Sequence, residues 1–588
     1  MQFLVSTREG KQKSKEVCYE DPKKLITVVA FLFFLISSPA IASALPAACT
    51  DLAINPSYGL AGNPVVKSAT SVMVAASGSN KAYCQVDILY GTNPDQNINI
   101  RVGLPLNSLD GGTGGVQGAW NGRTQGIGGA VCFGSLAVTP PVNAGYVGSG
   151  NDTGHSGGDC TPGVNADGTY NYQFINDFIR NGIKEQVLFM KSVAKSYYGM
   201  KPLYNYWNGC STGGRQGYLL AQELGKELDG ILANAPAIYW TRFATAQKWG
   251  EVVMNNLLGY VIPPAKLNQA TASAVAACDA NDGLIDGVID DPRTCTFSAT
   301  ANICSAPTAP ATNCLMPAEA EAIDMIWDGP RNAYGEKIWF GLDRGTALGA
   351  LNGTTPFYLT QLQWDEHNLN FDWHTMTIPG YAQVAQDGSR NIADITDTFG
   401  DLDTFRRSGG KMITYVGAND QLIMPRGVIN YYRQMASRYD YRRDLRFGFF
   451  GHGTDIDFRS VQQFYRLFRA PGAGHCGVGG TGPFDALIDW VENGHAPDKI
   501  DGTVGFGPTA RNVRMCPYPQ TAIYKGAPAD PNVAGSYYCG GDLETTPTVC
   551  DDVLVKYKHE VKGPLDYTGT GVNWFECFHI GHCQGPWQ

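Results

Sequence analysis

The feature that most restricts the fold is a serine set between two glycines where a strand pattern gives way to a helix pattern. Leu203-Tyr204-Asn205-Tyr206-Trp207 reads as a strand, and Gly209-Cys210-Ser211-Thr212-Gly213 follows. Tyr218, Leu219, Leu220 and Leu224 then recur as on a helix face. The pentapeptide is G-x-S-x-G, which has meaning only in this strand-to-helix context. In a chain with 71 glycines the five residues alone would be no more than a loop. Between strand and helix, the glycines permit a turn too sharp for side chains. That turn exposes Ser211 Oγ near the positive end of the following helix. Ser211 is the candidate nucleophile. The Thr212 backbone N–H is the first candidate oxyanion donor, and Gly129, in Gly126-Ile127-Gly128-Gly129, is the second.

The rest of the chain reads as α/β. Residues 95–135 alternate apolar runs with Gly-rich turns, residues 173–198 carry a helical pattern, and Gly230 to Ala235 is a buried-strand run. The alternation resumes at Lys411 to Val416, with a helix from Val428 to Met435, a strand from Phe464 to Phe468 and a helix from Phe484 to Glu492. Strands alternating with helices imply a parallel sheet. Between the two halves the chain is rich in Ala, Asn, Pro and aromatics, with cysteines at 278, 295, 304 and 314. The expected layout is a signal peptide at 1–44, core at 45–239, an insertion at 240–395, core again at 396–539, and a cysteine-bearing extension at 540–588.

Composition sets the compartment. Sixteen cysteines in 588 residues suit an oxidising environment, where they pair as disulfides. Lys23-Lys24 precede the apolar run Leu25 to Ile36, and small residues follow to Ala44, the pattern of a cleaved secretory leader. The run is shorter than the roughly 20 residues of a membrane span, although an uncleaved anchor is the alternative. The expectation is a secreted or periplasmic protein, free of the membrane after cleavage. A net charge of −10 without a Lys/Arg block argues against nucleic acid, and 43% hydrophobic residues argue against disorder.

A serine nucleophile of this type is followed along the chain by an acid and then a histidine. The strand ending at Val416 leads into Gly417-Ala418-Asn419-Asp420-Gln421, which puts Asp420 where an orienting carboxylate belongs. Read alone, Asp420 is almost as well explained as an Asx-turn residue. Two histidines precede cysteine, His475-Cys476 and His582-Cys583. His475 follows a strand-like run and a Pro-Gly-Ala-Gly turn, and is the candidate base. The tail Cys577 to Cys583 also admits a zinc reading, which an oxidising compartment disfavours.

Cys210-Ser211, Asp420 and His475-Cys476 together resemble the CS-D-HC arrangement of the tannase/feruloyl esterase family. The resemblance extends from about Cys49 to Cys539. It includes Trp120-Asn121-Gly122-Arg123, Asp152 to Gly157, Gly209 to Gly217, Asp229-Gly230-Ile231 and Pro471 to Gly477. Around the acid, Gly-Ala-Asn-Asp replaces the commoner His-Gly-x-x-Asp. The resemblance implies an α/β-hydrolase core with a large inserted lid domain. It also implies a Ser211-His475-Asp420 triad and a disulfide between Cys210 and Cys476. Further pairs implied are Cys49–Cys84, Cys278–Cys295, Cys304–Cys314 and Cys516–Cys539, with Cys132–Cys160 put forward as conjecture. Cys550, Cys577 and Cys583 are left without assigned partners.

Asp279, Asp282 and Asp286 lie within one short stretch, and hard oxygen donors at that density suit Ca²⁺. Counted from Asp279, the sixth residue is Leu284, so the stretch is no EF-hand. The resemblance implies a structural lid Ca²⁺ held by Asp279, Asp282 and Asp286 with the carbonyls of Leu284 and Val288. The alternative is a solvated acidic turn stapled by Cys278–Cys295. No organic cofactor is expected.

The activity implied is hydrolysis of small aromatic esters, galloyl or feruloyl, through an acyl-enzyme. A terephthalate monoester is the alternative substrate. A non-catalytic binding protein on a hydrolase scaffold and a metal-dependent hydrolase are the competing classes. The lid aromatics Trp327, Trp339, Phe340, Phe357, Tyr358, Trp364, Phe371 and Trp373 read mainly as core, with a few expected at the acyl pocket. Arg215 reads as a structural ion-pair partner, and Asp152 to Asp159 as a special loop near the pocket. Asn151 and Asn352 head N-glycosylation sequons. Oligomeric state is not legible.

Overall fold

The computed structural model describes residues 45–54, 66–158, 160–305, 314–332, 335–352, 363–385, 401–440, 456–505 and 510–544. The expected signal peptide and Cys550, Cys577 and Cys583 lie outside the described residues, as do Phe357 and Tyr358.

Among the described residues twelve strands form one sheet. They are β1 (Val66–Val74), β2 (Tyr83–Tyr90), β3 (Ile98–Pro105), β4 (Arg123–Ile127), β5 (Val147–Asn151), β6 (Tyr204–Cys210), β7 (Gly230–Asn234), β8 (Lys411–Gly417), β9 (Tyr465–Ala470), β10 (Val478–Gly479), β11 (Ile500–Val504) and β12 (Arg511–Pro517). The spatial order is β1-β2-β3-β5-β4-β6-β7-β8-β9-β12-β11-β10. The central strands from β5 to β9 are parallel. The strands on either flank are antiparallel. The parallel sheet read from the sequence therefore holds at the centre alone. The difference follows burial: β7 is buried throughout, whereas β2 alternates between buried and half-buried positions.

The helices beside the sheet are α1 (Gly182–Tyr198) and α2 (Thr212–Glu223), and, after the insertion, α7 (Pro425–Tyr439) and α8 (Gly482–Asn493). The helical pattern at 173–198 is one continuous helical run in the structure, with a π turn inside it. A short helix at Tyr172–Asn176 and a π turn at Asp177–Asn181 precede α1. A side chain at Gly182 would meet Asn151 Oδ1 at 2.5 Å, so the chain passes hard against β5 there.

The insertion leaves after β7 and returns at β8. It contributes α3 (Trp240–Ala246), α4 (Trp249–Leu258), α5 (Pro264–Cys278) and α6 (Pro317–Asp328). Trp327, Trp339, Phe340 and Trp364 of this segment are buried in the same apolar core as Trp207, Tyr218 and Tyr431 from the sheet side. The architecture is an α/β-hydrolase core whose insertion packs onto it. Among the described residues there are six disulfides: Cys49–Cys84, Cys132–Cys160, Cys210–Cys476, Cys278–Cys295, Cys304–Cys314 and Cys516–Cys539.

Candidate active site

Ser211 is the one residue between the end of β6 and the start of α2, at φ 63°, ψ −124°. A non-glycine residue pays about 1–3 kcal/mol for such a conformation, and the surroundings here enforce it. Ser211 N–H donates to Asn234 O at 2.9 Å, and Ala237 N–H donates to Ser211 O at 3.0 Å, which pins the turn to the end of β7. Both motif glycines are required by close approach. A Cβ on Gly209 would lie 2.4 Å from the Gly213 carbonyl carbon, and one on Gly213 would lie 3.0 Å from Gly128 Cα. Thr212 opens α2, so its N–H has no intrahelical acceptor.

Asp420 sits just past β8 and is buried. Its Oδ1 accepts the N–H groups of Leu422 and Ile423, both at 2.8 Å. His475 Nδ1 lies 2.9 Å from Asp420 Oδ2 and 3.1 Å from Oδ1. The carboxylate thus assigns the ring proton to Nδ1 and leaves Nε2 as the basic atom. The His475 backbone is steadied by its own N–H, which donates to Gln421 Oε1 at 3.1 Å. The phenol of nearby Tyr415 is pushed up to about 12, first by burial and then by the charge of Asp420, so it remains neutral.

The Cys210–Cys476 disulfide brings the two halves together, with the Cα atoms 6.0 Å apart. One cysteine adjoins Ser211 and the other adjoins His475. The bridge therefore gathers the residues that follow β6, β8 and β9, Ser211, Asp420 and His475 among them, at the C-terminal ends of the central parallel strands.

Gly129 does not keep the role expected of it. Its N–H donates to Gln216 Oε1 at 2.8 Å and is satisfied inside the protein. The neighbouring Gly128 N–H reaches Asn208 O at 3.1 Å, and the Ala130 N–H reaches Phe133 O at 3.0 Å. Val131 follows at φ 50°, and its carbonyl accepts Thr212 Oγ1–H at 2.7 Å. The Val131 N–H has no acceptor among the described residues. Gln216, Gln421 and Val131 carry no signal in the sequence, because their parts depend on backbone direction.

The family model for tannase and feruloyl esterase matches residues 107–540. The chain belongs to this family. It is a carboxylic ester hydrolase on that ground. Among curated relatives of this esterase is a probable feruloyl esterase of Arthroderma benhamiae, 33% identical over 465 residues, covering 72% of this chain and 81% of the relative. A mono(2-hydroxyethyl) terephthalate hydrolase of Piscinibacter sakaiensis is 27% identical over 502 residues, covering 71% and 79%. Among solved structures, feruloyl esterase B of Aspergillus oryzae superposes with a TM-score of 0.68 at 22% identity, covering 81% of this chain and 97% of that one. Tannin acyl hydrolase of Aspergillus niger gives 0.68 at 23% identity, covering 86% and 100%.

Among the described residues no group of three or more His, Cys, Asp or Glu side chains is arranged to hold a metal ion. In the acidic turn, Asp279 accepts the N–H groups of Asp286, Gly287 and Val288 at 2.8–3.3 Å. Asp286 pairs with Arg511 at 2.9 Å. Arg215 is buried, with its guanidinium 5.3 Å from the Phe178 ring and 5.5 Å from that of Trp240. Asn151 is buried in β5, so its sequon presents no accessible side chain. The loop after it is held by its own contacts: Asp152 Oδ1 accepts the Asn99 N–H at 2.9 Å, and His155 packs 4.4 Å from the Phe174 ring. A cavity behind the acid loop, lined in part by Asp291, Arg293, Asp343 and Arg426, includes neither Ser211 nor His475. Two of its arginines are paired with carboxylates, Arg293 with Asp291 and Arg426 with Asp343, both at 2.9 Å.

Proposed function

We propose that this chain is a secreted serine esterase that hydrolyses esters of aromatic acids, of galloyl or feruloyl type, through an acyl-enzyme on Ser211. The observation that carries the reading is the His475–Asp420 pair bridged through Cys476–Cys210 to a strained serine at a strand-to-helix turn. His475 Nε2 takes the Ser211 proton as Oγ attacks the ester carbonyl. The oxyanion that forms is held by the Thr212 N–H and, on this reading, by the Val131 N–H. The intermediate collapses, and the C–O bond to the alcohol breaks as His475 returns the proton to the leaving oxygen. Water then attacks the acyl-enzyme by the same route, releasing the acid and restoring Ser211.

The aromatic acyl group is supported by the relatives, named for feruloyl, tannin and terephthaloyl esters, and by the aromatic insertion packed against the core. A terephthalate monoester is the second substrate reading, supported by the named terephthalate hydrolase. Secretion is supported by the six disulfides among the described residues.

A structural Ca²⁺ in the acidic turn belongs to the same proposal. What supports it is excess charge: burial first, then Asp282 and Asp286, push the Asp290 carboxyl up to about 7, against the pull of Arg469 and Arg511. Oxygen donors crowded in this way suit a hard divalent cation. Asp279, Asp282 and Asp286, with the carbonyls of Leu284 and Val288, would hold it and would stabilise the insertion.

The test is hydrolysis of methyl gallate, methyl ferulate and a terephthalate monoester side by side by wild type and Ser211→Ala, with fluorophosphonate labelling of Ser211. Turnover of one aromatic ester that vanishes in Ser211→Ala is expected. Absence of Ser211-dependent turnover on all three overturns the reading.

A further inference from the structure

The segment Gly128 to Cys132 lies against the first turns of α2, and two side chains one helical turn apart hold it there. Thr212 Oγ1 donates to Val131 O at 2.7 Å, and Gln216 Oε1 accepts the Gly129 N–H at 2.8 Å. Between them the two backbones touch: a Cβ on Gly128 would lie 2.4 Å from Gly213 Cα. Cys132–Cys160 anchors the far end of the segment. Gln216 is fully buried, and because its partner is an N–H its carboxamide orientation is settled. Its Nε2 is buried without a partner among the described residues. A side chain that forgoes half of its hydrogen bonding in the interior is an expensive way to fill space, since a leucine would do so without an orphaned donor. What Gln216 accomplishes is the capture of one backbone amide beside the nucleophile.

We infer that Gln216 is a positioning residue for the ester hydrolysis proposed above: by taking the Gly129 N–H it sets the Gly129–Val131 peptides so that the Val131 N–H, and not that of Gly129, completes the oxyanion site. The inference rests on the serine-esterase reading. An oxyanion donor is effective because it is aimed before charge develops. Without the Gln216 acceptor, the Gly129 N–H is buried and unpaired. The segment then rotates to satisfy it, and the Val131 N–H turns with the segment.

The experiment compares wild type, Gln216→Leu and Gln216→Glu on the best aromatic methyl ester and on its thionoester, whose sulfur accepts hydrogen bonds poorly. In a buried site the glutamate is held neutral and keeps a carbonyl acceptor. Gln216→Leu is expected to lose kcat by about 10²-fold, the scale of one oxyanion donor, with KM little changed. Its preference for ester over thionoester should shrink, and Gln216→Glu should recover most of kcat. If Gln216→Leu does not fold, Gln216→Met, of similar length and without a strong acceptor, carries the same measurements. A folded leucine or methionine variant with wild-type kcat and wild-type ester preference overturns the inference while leaving the esterase reading standing. Loss of Ser211-dependent turnover in wild type itself would mark failure of the underlying reading, and this inference would fall with it.

Discussion

Cys210 and Cys476 are 266 residues apart in sequence and 6.0 Å apart at Cα, and each is the chain neighbour of a residue in the proposed triad. Ser211 rides on the end of β6 and His475 on the loop after β9, so without the bridge their separation would depend on packing alone.

Removing that bridge is expected to cost activity before it costs the fold. A loop of this length carries about 5–6 kcal/mol of closure entropy in the chain-entropy model. The Cys210→Ser/Cys476→Ser double variant should melt at lower temperature and lose kcat even where it remains folded. Activity that persists after mass spectrometry shows this pair reduced would count against the role.

Asp420→Asn should leave the fold intact and lower kcat by roughly 10³–10⁴-fold, because an amide no longer selects the Nδ1–H tautomer of His475. Asp420 Oδ1 also accepts the Leu422 and Ile423 amides, a task asparagine can keep with its carbonyl oxygen. Steady-state kinetics beside a circular-dichroism melt separate the two effects. Near wild-type kcat in the asparagine variant would remove Asp420 from the triad.

The central strands, the strand-to-helix turn at Ser211 and the meeting of Asp420 with His475 were legible because each has a local signature: an apolar run, a Gly-x-Ser-x-Gly turn, an acid past a strand, a histidine after a Gly-rich turn. The antiparallel flanks were not. β1 is half-buried to exposed along its length, so it shows no buried run, and β10 is two residues long. The Gly129 assignment failed for a different reason. A glycine-rich loop announces close backbone approach, but not which of its amides is bonded internally, and here the Gly129 N–H is taken by Gln216 from another element.

Gly128→Ala tests that close approach. The added methyl would sit 2.4 Å from Gly213 Cα, so the segment or the elbow must move. Overpacking of this kind costs about 1–3 kcal/mol, and here it displaces the groups beside Ser211. A large fall in kcat with a modest fall in melting temperature is expected. Unchanged kinetics would mean that the segment has no part in the chemistry.

The proposed Ca²⁺ predicts that excess chelator lowers the melting temperature of the purified protein and that added Ca²⁺ restores it. Asp282→Asn should weaken this response, while kcat on soluble esters stays near wild type below the melting range. A melting temperature indifferent to chelator, with no Ca²⁺ found by elemental analysis, removes the metal from the account.

Acid stability should depend on Glu492. Arg123 Nε and Nη2 donate to its two carboxylate oxygens at 2.6 Å, and Tyr206 O–H donates at 2.7 Å, tying β4 and β6 to the end of α8. Burial opposes the charge, but the Arg123 and Tyr206 hydrogen bonds and the Arg123 charge outweigh it and hold the carboxyl below its ordinary value. A carboxyl depressed in the folded state contributes stability that is present above its unfolded value, about 4.3, and is lost as pH falls through the folded one. Glu492→Gln should therefore melt lower than wild type at neutral pH, by roughly 1–3 kcal/mol for a partly buried charged hydrogen bond. The gap should close as the pH drops below about 4. Melting curves of the two proteins that stay parallel through the acid range would show that the Arg123–Glu492 pair contributes nothing to the pH dependence.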